Sequence, residues 1–264
     1  MLEQIVLGSI QGIAEWLPVS SEGLIFLVKT NFFNNGEDVI KIAGEALFLH
    51  FGTFLAALIY FRKDVFFLSK SLFNYKSTPS ETRKILFFLI VATLISGVIG
   101  MVLLAIFSKI GDDAESITKI ITTAIGILLL VTAGLQIKAG KGGQRRSGEI
   151  KKSEGVILGI VQAFAALPGL SRSGLTVSAL LLHKFNEEDA LKLSFLLSLP
   201  IVLGGNIILN LDKFVLTHAS LMGLVTSFVF GILTIGVLLK IARKVNFGWF
   251  VFGFGVLTLL SVFI

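Results

Sequence analysis

The sequence predicts an all-α polytopic membrane protein, with six transmembrane helices plus two re-entrant helical hairpins related by an inverted-topology repeat. Three observations predict it. Charged residues are 15% and hydrophobic residues 54% of 264 positions, with a mean hydropathy of +0.89, whereas soluble domains carry about 25% charged residues. Several apolar runs reach the roughly 20 residues that a helix needs to cross a bilayer. Two further apolar stretches are broken by proline and resemble each other.

Composition removes several function classes. The chain has no cysteine, so disulfides, thiolate metal sites and a cysteine nucleophile are excluded. The net charge is +6, but the basic residues cluster in short loops between apolar runs, which suits a membrane protein rather than a nucleic-acid binder. Met1-Leu2-Glu3-Gln4 lacks the basic region of a signal peptide and is read as mature sequence.

The elements follow in order. The first broken stretch is 2–28, interrupted by Pro18 and containing Glu15 and Glu22. A span at 42–61 carries Glu45 and His50, and 85–107 has no charge over 23 residues. Residues 120–137 make the next span. The second broken stretch, 155–183, is interrupted by Pro168-Gly169 and contains Arg172. Spans at 193–211, 219–239 and 245–264 complete the set. Each half of a broken stretch is about 11–14 residues, too short to cross as a helix. Broken backbone at membrane depth is tolerated only under cover of protein or around a watery cavity.

Basic loops set the orientation. Residues 62–84, 138–154 and 240–244 hold most of the Lys and Arg and are placed in the cytoplasm; 108–119 and 212–218 are poor in them and lie outside. The spans alternate consistently if the first broken stretch enters and leaves from outside and the second from the cytoplasm. Both termini then lie outside a plasma (inner) membrane. The halves are 1–139 and 155–264, joined by a cytoplasmic linker at 140–154. Its Gly140-Lys141-Gly142-Gly143-Gln144-Arg145-Arg146-Ser147 lacks the ending of a Walker loop and reads as a solvated basic connector near anionic lipid.

The repeat carries the functional reading. Positions 7–24 lie over 158–175, with Leu, Gly, Gln, Ala, Leu, Pro, Ser, Gly and Leu recurring in order and only Trp16 and Leu170 skipped. Three spans between the copies turn the second upside down, and binding sites in such repeats lie at the repeat interface near the midplane. Glu15 falls opposite Ala166, and Arg172 opposite Ser21. A charge at the bilayer centre costs about 2.5–3.5 kcal/mol on insertion scales. Glu15 and Arg172 are therefore expected to meet each other, or a charged ligand, in a polar cavity.

Pro168-Gly169-Leu170-Ser171-Arg172-Ser173-Gly174-Leu175-Thr176 has the chemistry of an anion cradle. A helix starting after Pro-Gly points free N–H groups at the tip, where they and the helix dipole favour phosphate. Arg172 can hold two phosphate oxygens, and Ser171, Ser173 and Thr176 add hydroxyls. Pro18-Val19-Ser20-Ser21 builds the matching tip. Any one of these serines is best read as a helix cap or bridge; the cluster around an intramembrane arginine is not.

The segment 168–176 is similar to the PGxSRSxxT signature of the undecaprenyl-diphosphate phosphatase family, the BacA-type bacitracin-resistance proteins. Gln11-Gly12-Ile13-Ala14-Glu15-Trp16-Leu17-Pro18-Val19-Ser20-Ser21 resembles the family's first motif, and Leu49-His50-Phe51-Gly52-Thr53 its next segment. The resemblance covers essentially the whole chain. It implies an enzyme of lipid-carrier recycling that removes the terminal phosphate of a polyprenyl diphosphate at the outer membrane face. On that basis Arg172 and the tip amides hold the diphosphate, Ser21 is the candidate nucleophile and Glu15 its base. Gln11, Ser20, Glu22, His50, Gly169, Ser171, Ser173 and Thr176 are candidate substrate contacts. The family's help from a divalent cation such as Mg2+ or Ca2+ makes Glu15 and Glu22 candidate metal ligands. The expected partners are the polyprenyl diphosphate and bilayer lipid, without nucleic acid; a homodimer is allowed, since nothing in the residues sets the oligomeric state.

Two positions depart from the family pattern. Gln11 stands where the family has glutamate, and Leu24 where it has histidine. Glutamine is no base and a weaker cation ligand. Glu22 and His50 are the candidate replacements for the histidine. These departures keep a second expectation open, a non-hydrolytic carrier that flips a polyprenyl phosphate. An ion or small-solute transporter ranks below both, having no use for the 168–176 tip.

Overall fold

The computed structural model describes residues 1–17, 20–33, 39–107, 143–167, 170–210, 217–242 and 247–260, together with 262 and scattered positions between 119 and 137. Half of the span expected at 120–137 therefore lies outside the described residues, as do residues 108–118 and 211–216, Gly169, and the linker's first residues, 140–142.

Everything described is helical apart from connecting turns and one isolated parallel bridge between Arg145 and Phe185. The helices are α1 (Leu2–Ala14), α2 (Ser21–Phe32), α3 (Val39–Tyr60), α4 (Arg62–Phe73) and α5 (Ser80–Phe107), then α6 (Lys152–Ala163), α7 (Arg172–Leu182), α8 (Glu187–Asn210), α9 (His218–Ala242) and α10 (Phe247–Leu260). Four stretches are long and apolar enough to cross a membrane: Lys41–Tyr60, Ser80–Ile106, Glu187–Leu209 and His218–Ile241. The chain is a multi-pass, all-helical membrane protein.

Several boundaries differ from the apolar runs. The first broken stretch continues to Phe32 and the second begins at Lys152. Helix α8 begins at Glu187, six residues before its apolar run, because Glu187, Glu188 and Asp189 fill its first turn, where acidic side chains meet the positive end of the helix dipole. The segment 62–84, read as a basic loop, is partly helix. In α4, Val65 and Leu68 pack on the core and Ser71 is buried, while Arg62, Lys63 and Lys70 take the outer face. That inner stripe is too short to register against so many charges.

The packing crosses between the halves. Helix α1 packs on α9 and α6 packs on α5, so each short arm leans on a long helix of the other half. Glycine makes these contacts close. A Cβ at Gly12 would stand 2.7 Å from the Gly231 nitrogen, and one at Gly159 2.8 Å from Ile95 Cβ. Only glycine permits such an approach of backbones. Trp16, 1% exposed, donates from Nε1 to the Gly231 carbonyl at 3.0 Å and sets its edge against Phe195, with centroids 5.0 Å apart. The bend after α1 is thereby fixed to α8 and α9.

Helix α3 packs tightly on both α8 and α9. Between α5 and α8, by contrast, lies a cavity of about 1100 Å³ that reaches from Glu3 and Lys29 to His50 and Arg172.

Candidate active site

Two helix N-termini define the site. Ser20 caps α2 by accepting from the Gly23 N–H at 3.1 Å, and Ser171 caps α7 by accepting from the Gly174 N–H at 3.0 Å. Such caps satisfy one of the amides left open at a helix start. They also fix Ser21 and Arg172 as the first helical residues of the two arms. The arms meet tip to tip: the Ser173 hydroxyl donates to the Leu17 carbonyl at 2.6 Å.

Glu15 is the centre of the arrangement. It is 6% exposed, and its Oε1 pairs with the Arg172 guanidinium. Its Oε2 accepts from Gln11 Nε2 at 2.9 Å and from Ser21 Oγ at 3.2 Å, and lies 3.2 Å from His50 Nε2. His50 Nδ1 lies 2.7 Å from the Ala46 carbonyl. Both ring nitrogens thus face acceptors. Arg172 is steadied by donating from Nη1 to the Ser194 carbonyl at 3.2 Å. Breaking a buried ion pair by deleting one partner costs about 3–5 kcal/mol, so each half of the molecule holds the other's charge in place.

A small polar pocket opens on these groups, lined by Glu15, Ser20, Ser21, Glu22, His50 and Arg172 together with Ser171 and Ser173. Glu22, His50 and Arg172 also line the large cavity, so the two are joined. Gln11 acts from behind, through Glu15. Thr176 does not reach the pocket: it is fully buried, donates to the Arg172 carbonyl at 2.9 Å and lies 2.6 Å from the Ser194 hydroxyl. Leu24 is 38% exposed and lines neither space.

The sequence of this arrangement has close counterparts. Residues 4–259 match the pattern of bacitracin resistance protein BacA. The chain belongs to the BacA family. It is 41% identical over 266 residues to a protein named undecaprenyl-diphosphatase from Methanococcoides burtonii, covering 99% of this chain and 98% of the relative. Proteins of the same name from Methanothrix thermoacetophila and Korarchaeum cryptofilum are 36% and 33% identical, covering 98% and 92% of this chain and 95% and 90% of theirs.

Of the two carboxylates expected to hold a divalent cation, Glu15 and Glu22, Glu15 has no free oxygen to offer one. Mg2+ and Ca2+ need several free oxygen ligands. Both oxygens of Glu15 are already engaged by Arg172, Gln11, Ser21 and His50. Among the described residues no three His, Asp or Glu side chains gather as a metal site.

Some participants carry no signal in the sequence. Ser194 lies at the edge of an apolar span and acts on Arg172 through its backbone carbonyl, which any residue type would supply. Trp16 reads as one more apolar residue until its N–H is seen to bind Gly231.

Proposed function

We propose that this BacA-family chain is an integral-membrane phosphatase that hydrolyses a polyprenyl diphosphate of the undecaprenyl class to the lipid monophosphate and phosphate. The observation that carries this reading is the Ser21–Glu15–Arg172 constellation, with Ser21 Oγ hydrogen-bonded to the carboxylate that Arg172 neutralises. Its relatives' shared name agrees with it.

Each residue has a role. The distal phosphate draws the Arg172 guanidinium away from Glu15, and the α2 and α7 amide ends cradle its oxygens. Glu15, released from Arg172, takes the Ser21 proton. Ser21 Oγ then attacks the distal phosphorus, the bond to the bridging oxygen breaks, and the lipid monophosphate departs. Water then attacks the phosphoserine, the bond to Ser21 Oγ breaks as Glu15 returns its proton to that oxygen, and the water's hydroxyl leaves in inorganic phosphate while its other proton passes to solvent. Donors already set where charge develops are the largest contribution in many such reactions. His50 adds a donor from α3, in place of the family histidine replaced by Leu24. No step is assigned to a divalent cation, since both oxygens of Glu15 are already engaged.

The architecture belongs to the same proposal. The α1–α2 and α6–α7 pairs are re-entrant hairpins, entering from outside and from the cytoplasm, and the halves 1–139 and 155–264 are inverted repeats flanking the linker 140–154. Six spans result, with both termini outside a plasma membrane. The crossed packing of α1 on α9 and α6 on α5 supports it. A non-hydrolytic carrier finds no support in the relatives' name. The purified protein in detergent should release phosphate from a C55-type diphosphate; release no faster than in its absence sinks the phosphatase reading.

A further inference from the structure

The large cavity has a second polar spot on the wall formed by α5 and α6. Gln162, 2% exposed, donates from Nε2 to Ser96 Oγ at 2.9 Å, and Ser96 Oγ donates to the Thr93 carbonyl at 3.2 Å. Gln162 Oε1 and Thr93 Oγ1 are buried without a hydrogen-bond partner. All three residues line the cavity that also reaches Arg172. An unsatisfied buried polar atom costs about 1–3 kcal/mol, and two on the lining of one cavity call for a ligand.

Comparison of the arms indicates what that ligand replaces. Gln162 occupies the place of Gln11, whose amide serves the Glu15 carboxylate. In the second arm the place of Glu15 is held by Ala166, which lines the cavity. A glutamine amide is therefore kept while its oxygen partner has been cut back to open space. The space continues beyond it. A Cβ on Gly97 or on Gly204, from the two facing walls, would meet nothing within 4 Å, so helix packing does not require these glycines. Met101 and Ile208 extend the walls with apolar surface.

We propose that Thr93, Ser96 and Gln162 form a subsite for the phosphate that stays on the lipid, with the isoprenoid chain running past Gly97 and Gly204. The inference rests on the phosphatase reading. The Thr93 hydroxyl and the second N–H of Gln162 give hydrogen bonds to phosphoryl oxygens, and Gln162 Oε1 accepts from a protonated one. The division of labour is chemical. The distal phosphate, which reacts, meets a guanidinium and two helix ends. The retained phosphate meets only neutral groups, whose hydrogen bonds are weaker than charge-assisted ones, so the product is held in register and still leaves.

The test compares two product inhibitors of phosphate release, a C55-type lipid monophosphate and inorganic phosphate. Thr93→Val and Gln162→Leu should each raise the half-inhibiting concentration of the lipid monophosphate about five-fold, the effect of one neutral hydrogen bond. Inhibition by inorganic phosphate should stay within about two-fold, and Thr93→Ser should restore the lipid effect. Unchanged lipid inhibition, or equal weakening of both inhibitors, overturns the proposal. Should the unaltered protein release no phosphate, thermal stabilisation by the lipid monophosphate reads the same variants. Weakened stabilisation then supports the subsite, and full stabilisation overturns it, independently of the phosphatase reading.

Discussion

The two hairpins share a scaffold and differ in what they carry. Each has a serine cap on a glycine amide, Ser20 on Gly23 and Ser171 on Gly174. Each has a buried glutamine four residues before the position that holds Glu15 in one arm and Ala166 in the other. Each begins with a paired carboxylate in its first turn: Glu3 lies 3.1 Å from Lys29, and Glu154 lies 2.6 Å from Arg145. The chemistry sits where the likeness stops. One arm brings the acid and the serine, the other the guanidinium, and only their meeting makes a site. The serine cap and the buried glutamine are common to both arms, while the acid and the guanidinium are divided between them.

The division is broken most severely by deleting either charge. Arg172→Ala and Glu15→Ala should each lower phosphate release by about 10³-fold, since one removes the phosphate clamp and the other the base. Release above a tenth of the original rate in either variant, measured on folded protein, contradicts a shared site.

The origin of the imidazole sharpens the comparison next. His50 reaches Glu15 from α3, whereas the resemblance in sequence led to the expectation of a histidine at the Leu24 position of the first arm. His50→Ala should slow release about 100-fold, the lower end for losing a general acid–base group or donor. Adding Leu24→His to that variant should recover most of the loss, because position 24 lies one helical turn beyond Ser21. Adding it to the unaltered chain should gain little. A failed recovery, with the double variant folded, would assign His50 a task tied to α3.

A smaller effect is expected at Gln11. Gln11→Glu removes the amide bond to Glu15 and sets two carboxylates four residues apart on one helix face. Like charges in a buried site oppose joint ionisation, so release should fall about ten-fold without added metal. The same pair adds carboxylate oxygens to those of Glu22, so Mg2+ or Ca2+ should restore it. A titration with chelator and metal checks this; indifference of the variant to metal shows that the glutamine does not exclude a cation.

Legibility in the sequence followed the same physics. The long spans were readable because apolar residues dominate them and, Glu45 and His50 apart, no acidic or basic side chain interrupts them, and Glu15 and Arg172 because isolated charges at membrane depth demand a partner. Helix α4 was not readable: Val65, Leu68 and Ser71 make its inner stripe among the five charged residues between 62 and 77, its own length and the adjoining turn. Thr176 was singled out as a substrate contact, yet its hydroxyl binds Ser194, and a threonine facing a neighbouring helix looks in sequence like one facing a pocket. Thr93 and Ser96 were passed over for the converse reason. Hydroxyls inside an apolar run usually bond to their own helix carbonyls, and only the structure distinguishes Ser96, which does, from Thr93, which does not.

The smallest effect concerns the base of the second hairpin, where a solvated connector was expected. Arg145 instead donates from Nη1 and Nη2 to the two oxygens of Glu154, at 2.6 and 3.1 Å, and its guanidinium lies 4.3 Å from the Phe185 ring centre. The Lys151 amide and His183 Nδ1 reach the same carboxylate at 2.7 and 2.8 Å. Burial opposes the charge on Glu154, but these hydrogen bonds and the Arg145 charge outweigh it and bring its pKa from 4.5 down to about 2. A carboxyl with a lowered folded pKa stabilises the fold above its unfolded value and loses that contribution as pH falls through the folded one. Glu154→Gln should therefore lower the melting temperature in detergent by about 2–4 °C at neutral pH, with release rates within about two-fold of the original. The difference from the unaltered chain should be complete above pH 4.5 and shrink toward pH 2. A difference that persists unchanged through that window would mean that the carboxylate's charge is not what anchors the linker, leaving the Arg145–Phe185 stack and backbone bridge to hold it.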